Sequence, residues 1–343
     1  MPVVFSLAPY SNPVFIETVR VRFWFTTSGL PAMKKSSLFL GLLGLIAIVS
    51  LPATPVYAQA TRTWVSGLGD DGNPCSRASP CKTFAGAISQ TAAGGEINCV
   101  DQGAYGAVTI LKSITIDCEG AFGGVLHSLT NGIVVNAGAS DKIMLRNLDI
   151  SGDPPNSPGL NGIRIISGSE VNVEKCIIHG SLGTDPNGAG IVVDKTAAGY
   201  TYLTVRDVTF YNMRFGVKMH TTTNQVVASI TNSRFNGIAV NGVEAGQNTF
   251  AAVSNSVFST INGSAIVASS ATSAIYAKDN LITNSYFGIN ASVSGAKINA
   301  MANALFGNAK AFNVVAGATF LSGGDNRFDV NPGSAATGPL GSK

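Results

Sequence analysis

Charge is scarce in this 343-residue chain. Lys, Arg, Asp and Glu make up 12% of it, and His occurs three times. Any site built from titratable groups must draw on few residues. Convincing helical apolar stripes are missing from most of the chain, so crossover helices, and with them βαβ units, are excluded. No cysteine spacing fits a zinc site, and no Gly-Gly-x-Gly-x-Asp calcium repeat occurs. The net charge of +3 comes from the start of the chain. Of 22 Lys and Arg, Arg20, Arg22, Lys34 and Lys35 lie within residues 1–58, as does Glu17 of 19 acidic residues, leaving 18 of each sign. No basic stripe survives to neutralise phosphates, so a nucleic-acid partner is not expected.

What is present is a repeat. A polar residue followed three positions later by Ile or Phe recurs as Asn147–Ile150, Lys175–Ile178, Asp207–Phe210, Asn232–Phe235, Asn255–Phe258, Asp279–Ile282, Asn303–Phe306 and Asp325–Phe328. The polar positions are 28, 32, 25, 23, 24, 24 and 22 residues apart. A near-constant period of this length marks a solenoid. A second phrase interleaves with the first: Gly132-Ile133, Gly162-Ile163, Gly190-Ile191, Gly216-Val217, Gly242-Val243, Ala265-Ile266 and Gly288-Ile289. Each unit therefore holds short strands with period-two apolar residues, bounded by Gly, Asn, Ser and Asp. Such units make the coils of an all-β, single-stranded parallel β-helix. Two inward columns are expected. One runs Ile150, Ile178, Phe210, Phe235, Phe258, Ile282, Phe306, Phe328, and the other Leu145, Val173, Val205, Ile230, Val253, Ala277, Met301. The Asn/Asp column suits a bend, because short polar side chains bond the local backbone.

The first 58 residues stand apart. Met33-Lys34-Lys35, the apolar or Gly run Leu38–Val49, Pro52 and Val56-Tyr57-Ala58 read as a secretory signal, too short in its apolar core to span a bilayer. Residues 1–32 then form an upstream extension or reflect a misassigned start, residues 33–58 the signal, 59–95 an N-terminal cap, 96–329 the β-helix and 330–343 a tail. The expected location is secreted or periplasmic, with no stable membrane span after cleavage.

Export permits disulfides. Cys75 and Cys81 close a small loop. Cys99 and Cys118 end strand-like runs one coil apart, within bridging distance. Cys176 is left over and aligns with Leu148, Val208 and Ser233, which makes it a buried small residue rather than a reactive thiol. A helix is expected from Thr83, with Phe84, Ala87 and Ile88 as its apolar face and Gly94-Gly95 as its end. It would cap the open end of the coil. His127 and His179 read as turn or surface residues. Asp70-Asp71-Gly72-Asn73 offers oxygens for calcium, but a turn is the simpler reading. No other cofactor or metal is expected.

The run Pro80-Cys81-Lys82-Thr83-Phe84-Ala85-Gly86-Ala87-Ile88, then Gly94-Gly95-Glu96-Ile97, Gly103-Ala104-Tyr105 and Ile114-Thr115-Ile116, resembles the opening of pectate-lyase-like right-handed parallel β-helix proteins. With the coils, the resemblance covers about residues 62–330. It implies a right-handed coil with a capping helix, and a polysaccharide groove along one face. It implies no activity, since the superfamily holds lyases, hydrolases, epimerases, adhesins and non-enzymes. No catalytic signature of pectate lyases or polygalacturonases maps onto these positions.

Reading outward positions by column brings polar chemistry to the middle turns: Arg164, Asp194, Lys218, His220 and Glu244. Asp194 and His220 should be adjacent-rung neighbours within hydrogen-bond reach, and Lys218 and Glu244 should be adjacent-rung neighbours too. The insertions 153–159 and 183–188 should wall this patch, and loops on a rigid scaffold commonly carry function. A lyase would take Lys218 or His220 as base, with Asp194 beside it and Arg164 on a sugar carboxylate. A hydrolase would need Asp194 and Glu244 as its carboxyl pair. A solvated charge ladder such as Arg146, Glu174 and Arg206 needs no function. Tyr200, Tyr202 and Tyr211 could stack on sugar rings. The missing signature and low charge favour an exported, non-catalytic protein presenting a β-face to a polysaccharide or cell-surface glycan, with Arg164 and Glu244 as binding residues. The alternative is a lyase or glycoside hydrolase acting on an acidic polysaccharide.

Overall fold

The computed structural model describes residues 59–195, 199–222 and 225–329. The expected extension 1–32, signal 33–58 and tail 330–343 lie outside them. No helix among the described residues is long and apolar enough to cross a membrane.

The chain winds into a parallel β-helix. One face is an 11-stranded sheet whose strand order follows the chain from Ala60–Val65 through Thr91–Cys99 to Thr319–Ser322. The other strands join in a 15-stranded sheet. Its longest members, such as Thr209–Thr221 and Arg234–Ala245, serve two faces, because a left-handed residue bends each in the middle.

Two columns of positive φ make the corners. The first is Asn147, Lys175, Asp207, Asn232, Asn255, Asp279 and Ala302, with φ from 51° to 57°. Asn and Asp tolerate this region because their side chains bond the neighbouring backbone. The second is Gly180, Asn212, Gly237, Thr260, Asn284 and Gly307. From Asn147 and Gly180 onward each corner repeats at the same place from turn to turn, so the strands between them stay in register.

The core follows from that register. Ile150, Ile178, Phe210, Phe235, Phe258 and Ile282 are buried and stack turn on turn. Phe210, Phe235 and Phe258 stack with centroids 4.7 and 4.5 Å apart. The glycine phrase makes room for them. A Cβ at Gly216 would stand 2.5 Å from Phe235 Cδ1. The close approach of the ring, not a left-handed φ, demands glycine there.

The expected columns slip by one residue in the last turns. Ile282 pairs in register with Leu305, which is buried, whereas Phe306 is 43% exposed. Phe328 follows in the column but is also exposed. Likewise Ala277 stacks on Ala300, not on Met301. The cause is Asn303, which does not make the corner: Ala302 does. Asn303 is buried in a ladder, donating to Ala277 O and to Asn326 Oδ1, while Asn280 donates to Asn303 Oδ1. Stacked amides satisfy one another and the interior carbonyls, which makes them tolerable in a core.

The capping helix spans Phe84–Gln90. Thr83 Oγ1 accepts from Gly86 N, and Phe84 and Ala87 turn inward, with Phe84 packed on Tyr105. It stops at Thr91, before the expected Gly94-Gly95, because Thr91 turns back to bond Ala87 O and opens a strand. Within Asp70–Asn73, the Asp70 carboxylate closes its own turn on Gly72 N, and Asp71 serves the helix start. Asp71 accepts from Lys82 N, Thr83 N and Thr83 Oγ1. These bonds outweigh the desolvation that opposes ionisation, and hold its carboxyl below the usual range.

Cys75 is bonded to Cys81 and Cys99 to Cys118, with Cα atoms 4.6 and 4.7 Å apart. Cys176 is free and buried between turns. Burial pushes its thiol up to about 12, so almost no thiolate forms at neutral pH. In native protein Cys176 should resist alkylation that proceeds readily after unfolding. Rapid native labelling, read by mass spectrometry, would contradict this packing.

His127 is not at the surface, where its sequence context places it. It is fully buried, its Nδ1 faces Thr130 O at 3.3 Å, and its Nε2 has no hydrogen-bond partner among the described residues. Gly159 lies against the ring; a Cβ there would reach 2.0 Å from Nδ1. Desolvation pulls the His127 pKa below its ordinary value, the Thr130 bond opposes this, and His179 adds to the lowering. The unfolded chain therefore takes up this proton first as pH falls below about 6.5, and stability declines from there through the lower folded value. Melting temperature should fall over that window in wild type, and less in His127→Gln. Identical profiles would remove the assignment.

Candidate functional site

A cleft of 680 Å³ opens on the 15-stranded sheet, in the middle turns. Its floor comes from the strands Asn161–Ser167, Ala189–Lys195, Thr209–Thr221 and Arg234–Ala245. All five residues of the expected patch, Arg164, Asp194, Lys218, His220 and Glu244, line it. Their convergence follows from the pleat. Each turn repeats the same alternation, so outward residues fall in columns. Arg164, Val192, Lys218 and Glu244 form one column, and Asp194 and His220 belong to another.

The side chains do not pair as the columns alone imply. Asp194 Oδ2 accepts from Arg164 Nη2 at 2.7 Å instead of bonding His220. A long guanidinium reaches diagonally across the rung and offers a charge-assisted bond. His220 is exposed at the cleft. Lys218 does not meet Glu244, although the two are in register. Its ammonium pairs with Asp185 Oδ1 at 3.3 Å and lies over the Phe215 ring at 4.4 Å. Glu244 instead accepts from Asn241 Nδ2 at 2.9 Å and Ser269 Oγ at 3.1 Å.

These contacts give Lys218 a positioning role. The wall carries Pro186 and Asn187, and the Lys218–Asp185 pair ties that loop to the sheet. Arg214 adds a bond to Gly183 O, and Asn161 donates to Asn187 Oδ1. Beneath the loop, Ala189, Val192 and Phe215 form a small apolar cluster apart from the main core. The other expected wall, 153–159, contributes no lining residue. Its Gly159 packs on His127 instead.

The two carboxylates proposed for hydrolysis, Asp194 and Glu244, stand two rungs apart and in different columns. The aromatic residues lie elsewhere. Tyr200, Tyr202 and Tyr211 are exposed, but none lines the cleft. Tyr202 is on the 11-stranded sheet, and Tyr211 stacks on His179, which bonds Asp149. Gln247, Ser269, Ser270 and Asn161 also line the cleft, and the column pattern of charges does not single them out. Following the Asp194–His220 column two turns further reaches Gly246 and then Ser269, so a signal exists for one of them. Among the described residues, no group of three or more His, Cys, Asp or Glu could hold a metal ion.

Comparison with known proteins bears on the scaffold. Among solved structures, pectate lyase Pel9A is similar at 14% identity and a TM-score of 0.52, over 82% of this chain and 81% of that one. A GH136 lacto-N-biosidase from Eubacterium ramulus is similar at 11% identity and a TM-score of 0.45, over 85% and 70%. The mannuronan C-5 epimerase AlgE4 A-module of Azotobacter vinelandii is similar at 15% identity and a TM-score of 0.27, over 74% and 93%. No curated protein matches the sequence. Residues 131–331, more than half the chain and the turns that carry the cleft, match the family described as right handed beta helix region, and the chain belongs to that family.

Proposed function

We propose that this is an exported carbohydrate-binding β-helix whose middle cleft holds a glycan without cleaving it. The observation that carries the proposal is how the cleft's charged groups are used. Arg164 is tied to Asp194, Lys218 to Asp185, and both oxygens of Glu244 accept hydrogen bonds. A lyase needs a base and a cation facing one sugar carbon, and a hydrolase needs two facing carboxyl groups. Here the lysine holds a wall and the carboxylates belong to different columns. What remains in the lining, chiefly the exposed amide of Gln247, with the Asn187 amide nitrogen and the Ser270 hydroxyl beside it, suits a sugar's hydroxyls. The carbohydrate class is supported by analogy of fold with a pectate lyase. Two disulfides fit an oxidising compartment, in keeping with the signal read at residues 33–58.

A second reading keeps one feature in its favour. His220 is exposed at the cleft and hydrogen-bonds no described residue, so a base is available for proton abstraction. A glycan array, run with an assay for unsaturated uronate release, separates the two. Binding without release is expected. His220→Ala and Gln247→Ala should weaken that binding while changing stability by only about 0–1 kcal/mol, since both groups are exposed. Release that disappears in His220→Ala would establish the lyase instead. Binding unchanged in both variants would remove the cleft from the proposal.

A further inference from the structure

Resting on the glycan-binding reading of the cleft, we propose that its preferred ligand is an oligosaccharide bearing free amines, selected by Glu244. The argument starts from charge pairing. Four ionisable groups besides His220 line the cleft: Arg164, Asp194, Lys218 and Glu244. Arg164 is neutralised by Asp194, and Lys218 by Asp185 from the wall loop. Glu244 has no ion-pair partner among the described residues. Its register neighbour is Lys218, one rung away at a backbone separation of about 4.8 Å. That ammonium is held away, over Phe215 and against Asp185.

Glu244 is nonetheless fixed in place. Asn241 donates to Oε2 and Ser269 to Oε1, one bond to each oxygen. An ionised carboxylate has about four acceptor sites, so half its capacity is left for a ligand. Both donors are neutral, so they orient the group without cancelling its charge. The acceptor is already ordered before binding, which raises what a matching donor gains.

The three main sugar classes meet this arrangement differently. A uronate carboxylate would face the unopposed charge of Glu244, and could reach Arg164 only by competing with Asp194. A neutral sugar gains ordinary hydrogen bonds. An ammonium gains charge-assisted bonds to Glu244 in a half-enclosed cleft, where attraction is screened less than at an open surface. His220 is the remaining titratable group in the lining, on the floor strand Thr209–Thr221, and it stands beside Gly246 on the next rung. Removing its side chain tests whatever charge it adds.

The test is titration calorimetry with three probes: oligoglucosamine, oligo-N-acetylglucosamine and oligogalacturonate. It is run at a mildly acidic pH that keeps the glucosamine amines protonated, with folding checked by circular dichroism in the same buffer. Wild type should bind oligoglucosamine most tightly. Glu244→Gln should weaken that probe about tenfold or more, the loss expected for a charge-assisted bond, and leave the N-acetylated probe within about twofold. His220→Gln should preserve the order of the three probes. Equal affinity for the free-amine and N-acetylated probes, tighter binding of oligogalacturonate, or an unchanged Glu244→Gln variant would each overturn the selectivity and leave glycan binding intact. Binding of none of the probes, together with a blank array, would fail the glycan reading itself.

Discussion

Phe235→Ala is expected to destabilise the protein by about 3–5 kcal/mol, the cost of deleting a fully buried aromatic ring from a core that cannot collapse. Phe235 lies between Phe210 and Phe258, with ring planes within 10° and 4° of parallel. The ring thus packs on a neighbour in each direction, and its loss opens both contacts at once. Relaxation is limited by the ladder. Strands on either side are locked in register by Phe210↔Phe235 and Phe235↔Phe258 pairing, with corners at Asn232 and Gly237. The slot above cannot be filled by its own glycine, since a Cβ at Gly216 would also come within 2.5 Å of Gly242 O. Urea denaturation measures the cost. A loss below about 1 kcal/mol, the scale of a surface change, would mean that the turns do close over the gap.

The second large effect is expected at the other end of the chain. Cys99→Ala/Cys118→Ala should cost about 3 kcal/mol, and Cys75→Ala/Cys81→Ala about 2 kcal/mol, because the chain-entropy effect grows with loop length. The sequence separations are 19 and 6. The longer bridge also joins the second and third strands of the 11-stranded sheet: Asn98 and Asp117, the residues before its cysteines, are paired in register. Cys118 is fully buried, so losing its bridge also loosens packing near Gly123, where an added methyl would press on Cys118 Sγ. Equal losses in the two double variants, measured by denaturant titration without reductant, would contradict the entropic ordering. Peptide mapping of unreduced protein should return the same two pairs.

The architecture was legible because a β-helix writes its cross-section into the sequence once per turn. Corners favour Asn, Asp or Gly, and inward positions need apolar residues, so the period and both columns could be read through Asp279. The reading slipped at Ala302–Asn303 because asparagine has two uses here. At Asn255 it makes a corner, and at Asn303 it feeds an interior amide ladder. A sequence shows the residue but not which of its bonding options is taken. The second set of corners, at Asn212, Thr260 and Asn284, was hidden inside long strands for the same reason.

The cleft was legible to the level of columns and no further. Register fixes where a Cα stands, whereas Arg164 and Lys218 have stems long enough to choose among several carboxylates. Arg164 took the diagonal Asp194, and Lys218 took Asp185 from a loop whose path no periodicity describes. His127 was misread because burial at a corner depends on what lies across it. Here Gly159, from the next insertion, covers the ring.

The turns touch only their neighbours, and the molecule is fastened unevenly along its axis. Among the described residues, both disulfides and the helix lie before residue 119, while the last strand, Arg327–Phe328, is exposed and paired with one neighbour. In a linear lattice with nearest-neighbour coupling, melting starts where a unit has one neighbour and the least to lose. The protein therefore behaves as a zipper pinned at one end, opening from the far end. The cleft, carried by turns that begin at Asn161, sits several links in from that opening. Partial unzipping can consume the last turns while the ligand-bearing section persists, so heat or denaturant should lower total strand signal before it erases binding.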